Sequence, residues 1–213
     1  GSTTLNSQML YDVVRKIDEN SEIEIISNDG KIVSLRTNGS RFSLACLPKE
    51  DYPIIDQDYS GNIIKINSKI LYKLIDKTKF AISNEETRYF LNGLYLNLNN
   101  DTNDETVTIV GTDGHRLAKF SYEIKNNIDK ISGVIIPKKT IYELTKLLSE
   151  VDQEIEISIS ANKIIFFIGS IVLLSKLIDG SFPDYKRVIP KDNLNVLEVN
   201  REKLLSAVDR VST

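Results

Sequence analysis

One cysteine in 213 residues, Cys46, leaves no partner for an intramolecular disulfide and implies a reduced, cytoplasmic setting. One histidine, His115, even with Asp113 beside it, falls short of the three or four ligands a tetrahedral metal site takes. No apolar run approaches the ~20 residues that span a bilayer, so no membrane-crossing helix is expected, and no signal-peptide pattern opens the chain. The ten glycines form no phosphate-cradling loop. Neither sign of charge dominates: 27 Lys and Arg stand against 30 Asp and Glu, a net −3. The chain as a whole is therefore no polycation, and a nucleic-acid role would need local basic patches. What is left, 41% hydrophobic and 27% charged, is an ordinary globular composition. Gly1-Ser2 reads as a cleavage remnant and Ser212-Thr213 closes just after a helical pattern, so both ends look cut.

The most strongly patterned stretch runs from Glu105 to Ile124. Val107, Ile109 and Gly111 alternate with Thr106, Thr108 and Val110, and Leu117, Lys119, Ser121 and Glu123 alternate with Ala118, Phe120, Tyr122 and Ile124. Between them lies Asp113-Gly114. Alternating runs around Asp-Gly predict a hairpin closed by a tight type I′ turn, with positive φ at both central residues. Such a turn would hold His115 and Arg116 at the hairpin mouth, where a partner can reach them.

A second pattern spans the whole chain. Asn6-Ser-Gln-Met-Leu-Tyr-Asp-Val-Val14 places apolar residues at helical spacing behind an N-cap residue, and Asn67-Ser-Lys-Ile-Leu-Tyr-Lys-Leu-Ile75 repeats it closely. Pro137 to Thr145 and Asn200 to Val208 follow, giving a period of roughly 60–70 residues. Helices are expected near Ser7–Ile17, Ser68–Thr78, Lys138–Leu148 and Arg201–Val211. Strand-like segments precede the last three, at Asn62 to Ile66, Gly133 to Ile136 and Val196 to Val199. Strand-like runs follow the first at Glu22 to Ser27, Lys31 to Arg36 and Arg41 to Leu47, and the third at Glu154 to Ser160, Lys163 to Ile168 and Ile171 to Leu177. The unit is strand, helix, then about three strands. Polar stretches without periodicity mark a loop at Asn99 to Asp104 and linkers at Asp56 to Gly61 and Lys191 to Asn195.

For chemistry the pattern offers little. Cys46 sits in the alternating run Ser43 to Leu47, where it reads as a small core hydrophobe and not a nucleophile. Two basic stripes remain: Lys138, Lys139 and Lys146 on one repeat helix, and Lys69, Lys73 and Lys77, four apart, on another. Each is either a solvated face or a set of cations for a phosphate backbone, bound without base specificity because base-reading motifs are lacking. A hydrolase or metal-dependent enzyme using Asp113 and His115 stays open as the alternative, and a purely structural repeat scaffold as a third reading.

Three motifs then bear on family. Arg88-Tyr-Phe-Leu-Asn-Gly93, Thr112-Asp-Gly-His-Arg-Leu-Ala118 and Asp179-Gly-Ser-Phe-Pro-Asp-Tyr-Lys-Arg-Val-Ile-Pro190 occur in this order. Together they resemble the bacterial DNA polymerase III β subunit, the sliding clamp, over essentially the whole chain. Gly111, where that family often has alanine, and a polar loop at Asn97 to Glu105 that looks longer than usual are the departures.

The resemblance implies an α+β DNA clamp fold, with helices on one side and antiparallel sheets on the other, and a non-catalytic processivity factor without cofactor or metal. It implies that residues 1–59 form the second half of clamp domain one, 60–190 the whole of domain two, and 191–213 the beginning of domain three. Its implied partners are duplex DNA, the replicative polymerase catalytic subunit, the clamp loader and other clamp-motif proteins, with two full-length protomers closing a ring. Its peptide pocket would use Leu91, Thr112, Gly114, His115, Arg116, Leu117, Pro183, Arg187 and Val188. Lys138 and Lys139, with Arg88 and Tyr89, would face DNA.

Overall fold

Three asparagines and a proline start the four helices. The Asn6 side chain accepts a hydrogen bond from the Met9 N–H (3.0 Å) ahead of α1 (Ser7–Val14). Asn67 accepts from the Lys69 N–H (2.9 Å) ahead of α2 (Ser68–Asp76). Pro137, with φ −58°, opens α3 (Lys138–Ser149), and Asn200 accepts from the N–H groups of Glu202 and Lys203 ahead of α4 (Arg201–Val211). A side-chain oxygen in that place satisfies an amide the first turn leaves open, worth ~1 kcal/mol. α1 and α2 end short of the expected Ile17 and Thr78 because their tails tighten. Ile17 N–H bonds to Val14 O, Thr78 N–H to Ile75 O, and the Thr78 hydroxyl to Leu74 O.

This computed structural model describes residues 2–28, 30–52, 61–99, 105–124, 133–191 and 193–212. The expected loop at 100–104 and most of the linker at 56–61 fall outside them. The chain divides into two compact units, Gly1–Asp58 and Tyr59–Thr213.

In the first unit β1 (Thr4–Leu5), β2 (Glu24–Asn28), β3 (Ile32–Thr37) and β4 (Ser40–Leu47) form one antiparallel sheet in the order β1-β4-β3-β2. Its buried apolar residues are Val33, Leu35, Leu44 and Cys46, so the lone thiol is a core side chain. α1 buries no residue, and Met9, Tyr11 and Val14 stay exposed.

The second unit contains two copies of the repeat. The first is β5 (Asn62–Asn67), α2, β6 (Gly93–Asn99), β7 (Glu105–Thr112) and β8 (Leu117–Ile124). The second is β9 (Val134–Pro137), α3, β10 (Glu154–Ile159), β11 (Lys163–Ile168) and β12 (Ile171–Lys176). Their sheets run β8-β7-β6-β9 and β12-β11-β10-β5, so each copy lends its leading strand to the sheet of the other. β9 pairs with β6 from Gly93↔Pro137 to Leu96↔Val134, and β5 with β10 from Asn67↔Glu154 to Asn62↔Ile159. That reciprocity relates the two copies by a pseudo-twofold. β1 departs from it, pairing instead with β4 of its own sheet through Thr4↔Leu47.

α2 and α3 pack against each other. Helical spacing puts Leu71, Leu74 and Ile75 on one face of α2 and Ile141, Leu144 and Leu148 on one face of α3, all at most 2% exposed. They join Ile64, Leu94, Leu96, Ile109, Ile155, Ile157, Ile164 and Phe166 from the two sheets in a single core. Ser68, buried at the start of α2, ties it to the approach of β10 by donating to Val151 O (3.0 Å) and accepting from the Gln153 N–H (3.1 Å). The expected strand at Val196 to Val199 does not form. Val196 and Leu197 are 89% and 81% exposed, and an alternating pattern without a neighbouring strand has no ladder to join.

Candidate partner-binding site

The hairpin forms as expected, but its turn differs. Thr112 pairs with Leu117, which leaves four loop residues, Asp113 to Arg116, where a type I′ turn has two. Only Gly114, at φ +90°, takes positive φ there. The cause is the Asp113 side chain, whose Oδ1 accepts from the N–H groups of His115 (3.0 Å) and Arg116 (2.9 Å) and closes the loop itself. Thr112 Oγ1 adds a donor bond to Arg116 O (2.8 Å) and accepts from the Gly114 N–H (3.1 Å). The Arg116 guanidinium completes the knot through Nε to Asp113 Oδ2 (2.9 Å).

These bonds, first the two backbone N–H groups of Arg116 and His115 and then the guanidinium, hold the Asp113 carboxyl down at about 2. Both its oxygens are therefore committed to shaping the loop. Among the described residues no three His, Cys, Asp or Glu side chains gather as a metal site.

Two further stretches meet this loop. The Arg116 guanidinium lies 5.7 Å from the ring centroid of Phe80, an exposed residue on the short 3₁₀ turn Lys79–Ala81. Arg88, on the 3₁₀ turn Glu86–Leu91, reaches Gly114 so closely that a Cβ there would fall 2.6 Å from Arg88 Nη1. Glu85 holds that guanidinium by two bonds, at 2.8 and 3.0 Å. The third motif arrives at the same turn: a Cβ on Gly180 would meet Phe90 Cβ at 3.3 Å and Tyr89 Cε2 at 3.6 Å. All three motif stretches thus converge on residues 86–91.

The individual side chains are unequally placed. Thr112 and Leu117 are half-buried, whereas Gly114, His115, Arg116, Pro183, Arg187 and Val188 are exposed. Leu91 is only 3% exposed and belongs to the interior, so any part it takes is as a floor. Arg187 is turned onto Asp184, with Nε to Oδ2 at 2.8 Å. Of the other two residues expected to face DNA, Arg88 reaches Gly114 of the hairpin loop and Tyr89 is exposed beside Gly180. Lys138 is tied at the start of α3, donating to Asn84 Oδ1 and lying 5.7 Å from the Tyr142 ring, while Lys139 is exposed. The other stripe is partly spent as well: Lys69 pairs with Asp152, and Lys73 lies over Phe120. Sequence reasoning missed Phe80, Glu85 and Phe90. The one local signal was Glu85, three residues before Arg88, the spacing of an acid–base pair on a helical turn.

Strand-exchanged repeats with paired helices, joined to a surface cluster of turns, define a clamp-type repeat protein. Family models agree: the DNA polymerase III beta subunit central domain matches residues 65–184, and its N-terminal domain matches residues 1–56. The beta sliding clamp of Caulobacter vibrioides is 40% identical over all of this chain. Among solved structures, the Bartonella birtlesii clamp bound to griselimycin is 44% identical at a TM-score of 0.87, covering 99% of this chain and 56% of that one. A Caulobacter crescentus clamp, with polyethylene glycol bound at a putative β-motif tethering region, is 39% identical at a TM-score of 0.90, covering 100% and 57%. The chain belongs to the DNA polymerase III β-subunit, or sliding-clamp, family. It spans 58% of the length of its Caulobacter vibrioides relative. No helix among the described residues is long and apolar enough to cross a membrane.

Proposed function

We propose that the chain is part of a sliding clamp, a cytoplasmic, non-enzymatic processivity factor. As a ring of two protomers it encircles duplex DNA and tethers the replicative polymerase, the clamp loader and other clamp-motif proteins. Residues 1–59 supply the second half of domain one, 60–190 domain two and 191–213 the beginning of domain three. The ring slides because its phosphate contacts carry no base specificity.

The observation that carries the reading is that the hairpin loop and the Asp179–Pro190 stretch both approach the turn Glu86–Leu91 of the first motif. Leu117, Pro183 and Val188 supply apolar area for a partner peptide above Leu91, while His115, Arg116 and Arg187 offer donors to its carbonyls or acidic groups. Thr112 and Gly114 fix the loop that presents them. Lys138 and Lys139 face the duplex from α3, and Arg88 and Tyr89 face it from the turn Glu86–Leu91. Titration of a fluorescent clamp-motif peptide tests the pocket. Leu117→Ala and Val188→Ala should each weaken binding roughly tenfold while leaving retention on DNA unchanged. Full affinity in both variants would remove the pocket from this hairpin.

A further inference from the structure

Behind the cluster stands a set of rings that no part of the site argument has used. Tyr95, on β6, stacks on Phe182 with centroids 4.7 Å apart and planes 9° from parallel. On its other contact it meets Tyr185 at 6.2 Å and 60°. Tyr185 is only 5% exposed, and its hydroxyl is buried without a partner among the described residues. Burying an unpaired hydroxyl is unfavourable, so ring packing and not hydrogen bonding holds Tyr185 inward. Burial, followed by the neighbouring Tyr185, raises the Tyr95 phenol above its usual range.

The rest of the third motif hangs from these rings. Phe182 immediately precedes Pro183. Tyr185 begins the turn Tyr185–Arg187, in which the Val188 N–H bonds to Tyr185 O (3.3 Å) and Asp184 caps the Lys186 N–H (3.3 Å). Pro183, Arg187 and Val188 are themselves exposed. At the far side of the Tyr95 ring there is no slack: a Cβ on Gly133 would fall 2.0 Å from the Tyr95 hydroxyl oxygen.

We propose that Tyr95, with Phe182 and Tyr185, forms an aromatic bracket that positions Pro183, Arg187 and Val188 for the partner peptide without touching the peptide itself. Tyr95 is a positioning residue, and Gly133 is the clearance that lets its ring sit where it does. The inference rests on the peptide-pocket reading above and adds the element that sets one wall of that pocket.

The test measures peptide affinity, DNA retention and thermal midpoint on the clamp carrying Tyr95→Leu, Tyr95→Phe, Tyr185→Phe or Gly133→Ala. Tyr95→Leu removes the stack and should weaken the peptide about three- to tenfold. Tyr95→Phe keeps the ring and should restore wild-type affinity. Tyr185→Phe deletes only the unpaired hydroxyl, so it should bind as wild type with an unchanged or higher midpoint. Gly133→Ala pushes the ring from behind and should weaken the peptide as Tyr95→Leu does, although it lies outside every motif. DNA retention should stay unchanged throughout, which a general loss of fold would not allow. Wild-type affinity in Tyr95→Leu, or a loss in Tyr95→Phe equal to that in Tyr95→Leu, would overturn the bracket. Absence of peptide binding by the wild type would instead overturn the pocket reading on which it stands.

Discussion

Asp113 shapes the hairpin loop with one carboxylate, taking two backbone N–H groups on Oδ1 and a guanidinium on Oδ2. Its folded pKa of about 2 lies below the ordinary 3.8. A group depressed on folding stabilises the fold fully above its unfolded pKa and loses that contribution as pH falls through the folded value. The Asp113→Ala variant should therefore melt below wild type at every pH above roughly 4, with the gap closing between about pH 4 and pH 2. Thermal midpoints of both proteins across that range check it, and a gap that does not narrow would refute the assignment. Asp113→Asn keeps the Oδ1 acceptor and should sit between the two. This residue also explains why the loop was misread. Asp-Gly between alternating runs does mark a hairpin, but an aspartate oxygen that caps its own loop substitutes for the I′ backbone. Asp113 makes that choice, with Thr112 and Arg116 completing the bonds around it.

At the scale of elements, α3 carries the test of the DNA-facing reading, because its first two lysines are placed so differently. Lys139 is exposed, whereas Lys138 is drawn onto Asn84 and the Tyr142 ring. Reversing Lys139 in a closed clamp loaded on DNA should lower the salt slope of retention by about one, since each lost phosphate contact removes about one counterion from the balance. Lys138→Glu should change the slope less. A slope unchanged by Lys139→Glu would take this end of α3 off the duplex. The helices themselves were legible in the sequence because a 3.6-residue apolar period and an asparagine or proline at the start are local facts, and all four lie where the pattern predicts. Strand partners were not legible. The exchange of β5 and β9 between sheets joins residues far apart in the chain, and Val196 to Val199 has a strand's alternation without a strand to pair with. The three motifs of the site could be named in order, but not their meeting at residues 86–91. That meeting depends on where a guanidinium and two glycines approach in space, as Arg88 does at Gly114 and Phe90 at Gly180.

For the whole molecule, the unequal cores of the two units set the order of unfolding. Among the described residues the first unit buries Val33, Leu35, Leu44 and Cys46, whereas the second joins residues of α2, α3 and two sheets in one cluster. Small cores are marginal, so calorimetry should show the first unit melting below the second. Leu35→Ala and Leu74→Ala, each removing a fully buried side chain at about 2–5 kcal/mol, should move only the lower and only the upper transition respectively. One transition shifted by both variants would refute the separation. The exchanged strands carry a different consequence, for synthesis. β5 is the first strand of its unit to leave the ribosome, yet its partner β10 is made only after α2, the first sheet and α3. Until then Ile64 and Ile66 have no sheet to enter, and the nascent chain holds an unmatched apolar strand. The sheet of β5 is the last part of the unit to close.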